Sequence, residues 1–129
     1  MPHFILEYTD NIKNEANLPF LFEKIHKVLI DRGSHFPIGG IRSRAIELHD
    51  YRVADGEEDD AFVHAVFKIG AGRTEEVKKE ACDAMFEVMK DHFASLMSTR
   101  YLALSMELIE FSEAGTYKQN NIHTRFKKE

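Results

Sequence analysis

The chain has 129 residues, enough for one domain with one sizeable core, and its 43% hydrophobic and 30% charged residues are the balance of a globular protein in water. Seventeen Lys and Arg against 22 Asp and Glu leave a net charge of −5. That argues against broad nucleic-acid or anionic-membrane binding, which needs excess cations. The single cysteine, Cys82, excludes an intrachain disulfide and a thiolate metal cluster.

The opening MPHFILEYTD lacks the basic and apolar regions of a signal peptide, and no run approaches a membrane span. A cytoplasmic protein is expected. Residues 4–8 are rich in β-formers and predict a strand, followed by a polar loop over 9–16. Asn17 is the expected N-cap of a helix, with Pro19 in its first turn, where a missing N–H costs little. Leu18, Leu21, Phe22, Ile25, Val28 and Leu29 recur at steps of three and four as one apolar stripe, and Gly33 is the expected C-cap. After a loop over 34–40, residues 41–48 alternate as a strand that carries Arg42 and Arg44 on one face. Five carboxylates between 55 and 60 form a connection without the spacing of a calcium loop.

Residues 61–69 predict a strong strand. Gly70-Ala71-Gly72 then turns into one long helix over 74–99, capped by Thr74, with Glu75 and Glu76 in the first turn where the helix dipole favours them. A fourth strand is expected over 101–111, and a polar, mildly basic tail over 113–129 with room for one short extended piece. The order is β-α-β-β-α-β in a single domain, as two halves over about 1–55 and 60–112. Several folds share that order, the ferredoxin-like fold among them. Two helices cover one face of a four-stranded sheet, yet the third and fourth strands offer apolar residues on both faces. A second subunit is the simplest cover, so an oligomer is expected.

The common catalytic signatures HExxH, GxSxG, P-loop and CxxC are absent. The seven histidines form no ligand pair at helical spacing, and His64, in a strong strand, is the one expected to be partly buried. Cys82 reads as a small helix residue with no cationic pattern around it. Gly70-Ala71-Gly72-Arg73-Thr74 stands at a strand-to-helix junction, where backbone can approach an anion. Glu75 breaks the dinucleotide fingerprint, leaving either a plain tight turn or a small carboxylate held by Arg73. Arg42 and Arg44 are rim charges, unless a partner subunit buries them against a carboxylate. Pro2 is either an ordinary second residue or, with Met1 removed, a secondary amine heading a strand. Nearby arginines or an apolar pocket would hold that amine neutral and basic.

Pro2 before a strand, Ile41-Arg42-Ser43-Arg44 in a strand, and KIGAGRT before the second helix occur together. With the stretches MPHFILE, GGIRSRA, AFVHAVFKIGAGR, HFASLM, RYLALSMEL and KQNNIH, they closely resemble the tautomerase superfamily, and within it the 5-carboxymethyl-2-hydroxymuconate isomerases. The resemblance implies an α+β, two-layer fold of two fused βαβ units with a four-stranded mixed sheet and both helices on one face. It implies a homotrimer, sheets inward, acting on a small polycarboxylate of the 2-hydroxymuconate type in homoprotocatechuate breakdown. It further implies Pro2 as general base, Arg42 and Arg73 as the catalytic arginines, and no metal or organic cofactor. Arg44 and Asn120, Asn121 and His123 would be supporting or interface residues. The competing expectation is a non-catalytic, ferredoxin-like small-ligand-binding module, in which Pro2, Arg42 and Arg73 would not converge.

Overall fold

The computed structural model describes residues 1–127. Strand β1 (His3–Thr9) alternates buried and half-buried side chains and sends Phe4, Leu6 and Tyr8 into the core. Helix α1 (Leu18–Ile30) buries Leu21, Ile25 and Leu29, four residues apart on one face. Its two ends differ from expectation. Asn17 holds the N-cap place in left-handed geometry (φ 44°, ψ 58°), and its side chain makes no capping bond; that bond normally needs an extended cap residue. At the other end Asp31 is the C-cap, donating its N–H to Lys27 O. Gly33 falls in the turn beyond, without the positive φ of a glycine cap.

Strand β2 (Arg42–Leu48) and strand β3 (Ala61–Gly70) follow. Ala61, Val63, Ala65, Phe67 and Ile69 of β3 are all essentially inaccessible. Helix α2 (Glu75–His92) is capped as expected, Thr74 Oγ1 accepting the Val77 N–H at 3.2 Å. The expected single helix over 74–99 is interrupted at Phe93 (φ −96°, ψ 7°), where helix α3 (Ala94–Thr99) begins. Phe93 is fully buried. The small break turns its ring inward, a change that apolar periodicity does not register. Strand β4 (Leu102–Phe111) closes the sheet, and the tail forms 3-10 turns at Glu113–Gly115 and Ile122–Phe126 in place of the expected extended piece.

The strand order is β2-β1-β3-β4, with β1 parallel to β2, β3 parallel to β4, and β1 antiparallel to β3. A split βαβ arrangement would place another strand between β1 and β2; here they hydrogen-bond directly. The ferredoxin-like expectation is thereby corrected. The helices cover one face, where α1 packs beside α2, and a bidentate Arg32–Glu80 pair at 2.7 and 2.6 Å links the end of α1 to α2.

Register assigns the open face. Arg42, His3, Lys68 and Ile109 stand abreast across the four strands, and Arg44, Ile5, Val66 and Glu107 form the next row. The expected doubly apolar sheet is corrected to a mixed one. Ile5, Ile46, Val66 and Ile109 are there, but interleaved with basic side chains on β1, β2 and β3. His64 is partly buried as expected, held by Ser105 and Glu107 across β4; His26 and His92 are partly buried too.

Candidate active site

Because β1 runs antiparallel to β3, the start of β1 lies beside the end of β3, His3 opposite Lys68. The segment leaving β3 therefore returns past residue 2. Pro2 is buried, and its carbonyl accepts the Arg42 N–H at 3.2 Å, which pins the amino-terminal segment to β2. Next to it the 3-10 turn Ile38–Gly40 packs against the Ile122–Phe126 turn of the tail. Asn120 Nδ2 donates to Gly39 O at 2.9 Å, and Asn120 Oδ1 accepts the Ile122 N–H at 2.8 Å. A Cβ at Gly39 would lie 2.6–2.9 Å from His123, main-chain atoms included. Only glycine permits that approach.

Arg73 is held by carbonyls and an aromatic face. Its Nε and Nη2 donate to His35 O at 3.0 and 2.8 Å, its Nη1 donates to Gly70 O at 3.2 Å, and its guanidinium lies 4.6 Å from the Phe36 ring centre. A guanidinium has five N–H donors, so two remain for a ligand. Burial pulls its pKa below the ordinary arginine value.

Two adjoining pockets flank the amino terminus. The first, about 360 Å³, is lined by Pro2, Gly40, Arg73, Phe111, Asn120 and His123, among others. The second, about 430 Å³, is lined by His3, Arg42, Arg44, Lys68, Tyr117 and Gln119, among others. Met1, Phe111 and Lys118 border both. With Met1 in place its α-amine carries the titration here. Burial, then Lys118, Arg73 and Arg42, lower its pKa from the ordinary 8.0, against a smaller opposing pull from Glu113. His3 is likewise pushed down, by burial and then by Arg44 and Arg42. Arg44 Nη1 donates to His3 Nδ1 at 3.1 Å, which leaves the imidazole proton on Nε2.

Pro2 and Arg73 thus share one pocket, and Arg42 lies in the pocket next to it, close enough to act on the same amine. Arg44 lines the second pocket, while Asn120 and His123 line the first. Asn121 stands outside both as the residue before the last 3-10 turn. Phe111, Glu113, Lys68 and Lys118 were not singled out from the sequence. Strand alternation puts Lys68 on the face opposite the buried Phe67 and Ile69, but only the register of β1 against β3 sets it beside His3. Lys118 carried no local signal beyond its place in the matching KQNNIH stretch. Among the described residues no three His, Cys, Asp or Glu side chains are placed to hold a metal ion, and no helix is long and apolar enough to cross a membrane.

Two parallel βαβ units joined through antiparallel central strands, with a proline heading the first strand beside an arginine, define a protein of the tautomerase fold. A fused 4-OT symmetric trimer shares it at a TM-score of 0.62 and 23% identity, over 91% of this chain and 93% of that one. The chain belongs to the 5-carboxymethyl-2-hydroxymuconate isomerase family, whose model matches residues 2–126, and its role is that of an isomerase. It is 49% identical to the 5-carboxymethyl-2-hydroxymuconate Delta-isomerase of Escherichia coli, over 98% of this chain and all of that one. The crystal structure of a 5-carboxymethyl-2-hydroxymuconate isomerase from Deinococcus radiodurans R1 superposes with a TM-score of 0.94 at 55% identity, covering 98% of this chain and 95% of that one.

Proposed function

We propose that this chain ketonises 5-carboxymethyl-2-hydroxymuconate to 5-oxopent-3-ene-1,2,5-tricarboxylate in homoprotocatechuate breakdown, with the Pro2 amine as general base once Met1 is removed. The observation that carries the reading is a buried Pro2 in one pocket with Arg73, in a field of cations that depresses the amine pKa. Removal of Met1 leaves a secondary amine one residue further in, at the buried Pro2, in the pocket it shares with Arg73. Burial and nearby cations favour the neutral form of such an amine, the form that acts as a base.

Pro2 nitrogen takes the proton of the 2-hydroxyl. The oxygen lone pair closes a C=O bond, the diene electrons shift along the chain, and a conjugated carbon takes a proton back from the prolinium. Atoms and charge balance without a redox partner. Arg73, with two N–H groups to spare, and Arg42 hold substrate carboxylates and offset the negative charge growing on the oxygen. The concentrated positive field draws a polyanion despite the net charge of −5.

The working unit in this reading is a homotrimer of single-domain chains, each of two fused halves. Support comes from the exposed open sheet face, with Ile46 and Ile109 still 47% and 39% accessible, and from the symmetric trimer formed by a relative of the same fold. An ultraviolet ketonisation assay on protein whose amino terminus has been weighed by mass spectrometry tests the reading. Pro2→Ala and a form that retains Met1 are both expected to lose at least about 100-fold in kcat/KM, the usual worth of a general base. An undiminished rate in either form overturns the role of Pro2.

A further inference from the structure

The second pocket is unusual for its charge. Arg42 and Lys68 flank His3 on the neighbouring strands, directly in register, and at about 4.8 Å per strand the two cations stand roughly 10 Å apart. Arg44 comes from the next row, and Lys118 closes the mouth from the tail. No Asp or Glu lines this pocket. Arg42, Arg44, Lys68, Arg73 and Lys118 form no ion pair among the described residues, whereas Lys13, Lys27, Arg32, Lys78, Lys79, Lys90 and Arg100 all do. Like charges facing each other across a sheet oppose folding. Lys24, Arg52 and Arg125 are also without an ion pair among the described residues, but they line neither pocket; what marks this place is that five such cations converge on it.

We propose that this pocket is a second carboxylate subsite, in which Lys68 and Lys118 complement Arg42 and Arg44 and bind the carboxymethyl branch of the substrate. The chain thereby selects tricarboxylates over dicarboxylates. The inference rests on reading the Pro2–Arg73 pocket as the place of reaction. It goes beyond that reading in naming which residues recognise the third carboxylate. Lys118, which borders both pockets, ties the two together. The imidazole of His3, with Nδ1 accepting from Arg44, adds an Nε2–H donor to a lining rich in donors. Such a site favours ligands whose oxygens satisfy those donors and discriminates against analogues that leave them unpaired.

The test uses two saturated, unreactive acids, so that binding is read apart from catalysis: adipate, and 2-carboxymethyladipate, which adds the carboxymethyl branch on the carbon next to a carboxylate, as in the substrate. Isothermal titration of the full-length, Met1-processed protein is expected to show the tricarboxylate bound about tenfold or more tightly. Lys68→Met and Lys118→Gln are each expected to abolish most of that preference, and Lys68→Arg to keep it. Lys68 is exposed in the single chain, so its replacement leaves the subunit's own core untouched, and size-exclusion chromatography of each variant checks that the assembly is kept. Equal affinity for the two acids in the unsubstituted protein, or a preference that survives both substitutions, overturns the subsite. Should the preference hold while ketonisation fails, the subsite stands and the assigned reaction falls.

Discussion

The two ends of the sheet are built from equivalent positions of the two βαβ halves, and they use charge in opposite ways. At one end, where β1 begins and β3 finishes, Arg42, Arg44, Lys68, Arg73 and Lys118 surround residue 2 without a carboxylate partner among the described residues. At the other, where β1 finishes and β3 begins, polar groups bond to one another. Asp10 accepts from Tyr51 at 2.9 Å and bonds His49 at 3.0 Å. Asn11 Nδ2 donates to Asp59 Oδ1 and Asp60 O, and Arg100 donates to Asn11 O, Asp59 O and Asp59 Oδ2. The acidic connection, which in sequence shows only that it lacks the spacing of a calcium loop, is thus partly a structural clasp. Position 2 in the first half is matched in the second by Asp60, an interior residue of the chain with no amine to offer. In the proposed reading each chain therefore has one reactive end, at residue 2, and one structural end, at Asp60.

Arg73→Gln probes the contrast hardest. It is expected to lower kcat/KM by about 10²–10³, the range seen when an oxyanion donor is removed, and to cost about 1–3 kcal/mol of stability as the hydrogen bonds to His35 O and Gly70 O are lost. The same substitution moves the pH profile. Arg73 depresses the amino-terminal pKa, because a nearby cation disfavours the protonated amine. The rate depends on neutral amine, so it rises with pH through that pKa. With the cation gone the pKa climbs, and the rising limb is displaced to higher pH. A limb that stays in place, or moves down, breaks the link between Arg73 and the amine.

Gly39→Ala is the next test. Its Cβ would stand 2.8 and 2.9 Å from the His123 main chain, which cannot swing aside as a side-chain tip can. Overpacking of this kind costs about 1–3 kcal/mol and should push the tail off the pocket, lowering both the denaturation midpoint and kcat/KM. Gly40→Ala meets nothing nearer than 3.6 Å and is expected to stay within about 0.5 kcal/mol of the parent. Equal effects at the two glycines would remove the tail from the account of the site.

The smallest effect on catalysis is expected at the structural end. Asn11→Ala deletes two hydrogen bonds, to Asp59 and Asp60, and should cost about 1–2 kcal/mol in chemical denaturation at roughly 1 kcal/mol per bond, with kcat/KM unchanged. A fall in kcat/KM at unaltered stability would mean that the two ends are coupled.

Most of the fold is legible from local pattern. The alternation in residues 61–69 identifies the buried face of β3 residue by residue, and Thr74 caps α2 as its position suggests. The errors fall where a neighbour distant in sequence decides. Asn17 is left-handed beneath the His92 ring, which bonds Ala16 O at 2.7 Å, and Phe93 breaks the long helix to fill the core. Pro2, Arg42 and Arg73 could be named from the sequence because they recur together in a resembling family, while Lys68 and Lys118 needed the register and the path of the tail.

What the sequence determined by itself is the order of elements, the apolar stripe of each helix and the net acidity, since periodicity and composition are properties of neighbouring residues. The tertiary structure decided that five cations without ion pairs, Arg42, Arg44, Lys68, Arg73 and Lys118, gather at one end. Antiparallel pairing of β1 with β3 sets the start of one half beside the finish of the other, and the tail then folds back over Gly39. Residues as far apart in sequence as Pro2, Arg73 and Lys118 line one pocket through that pairing and the return of the tail.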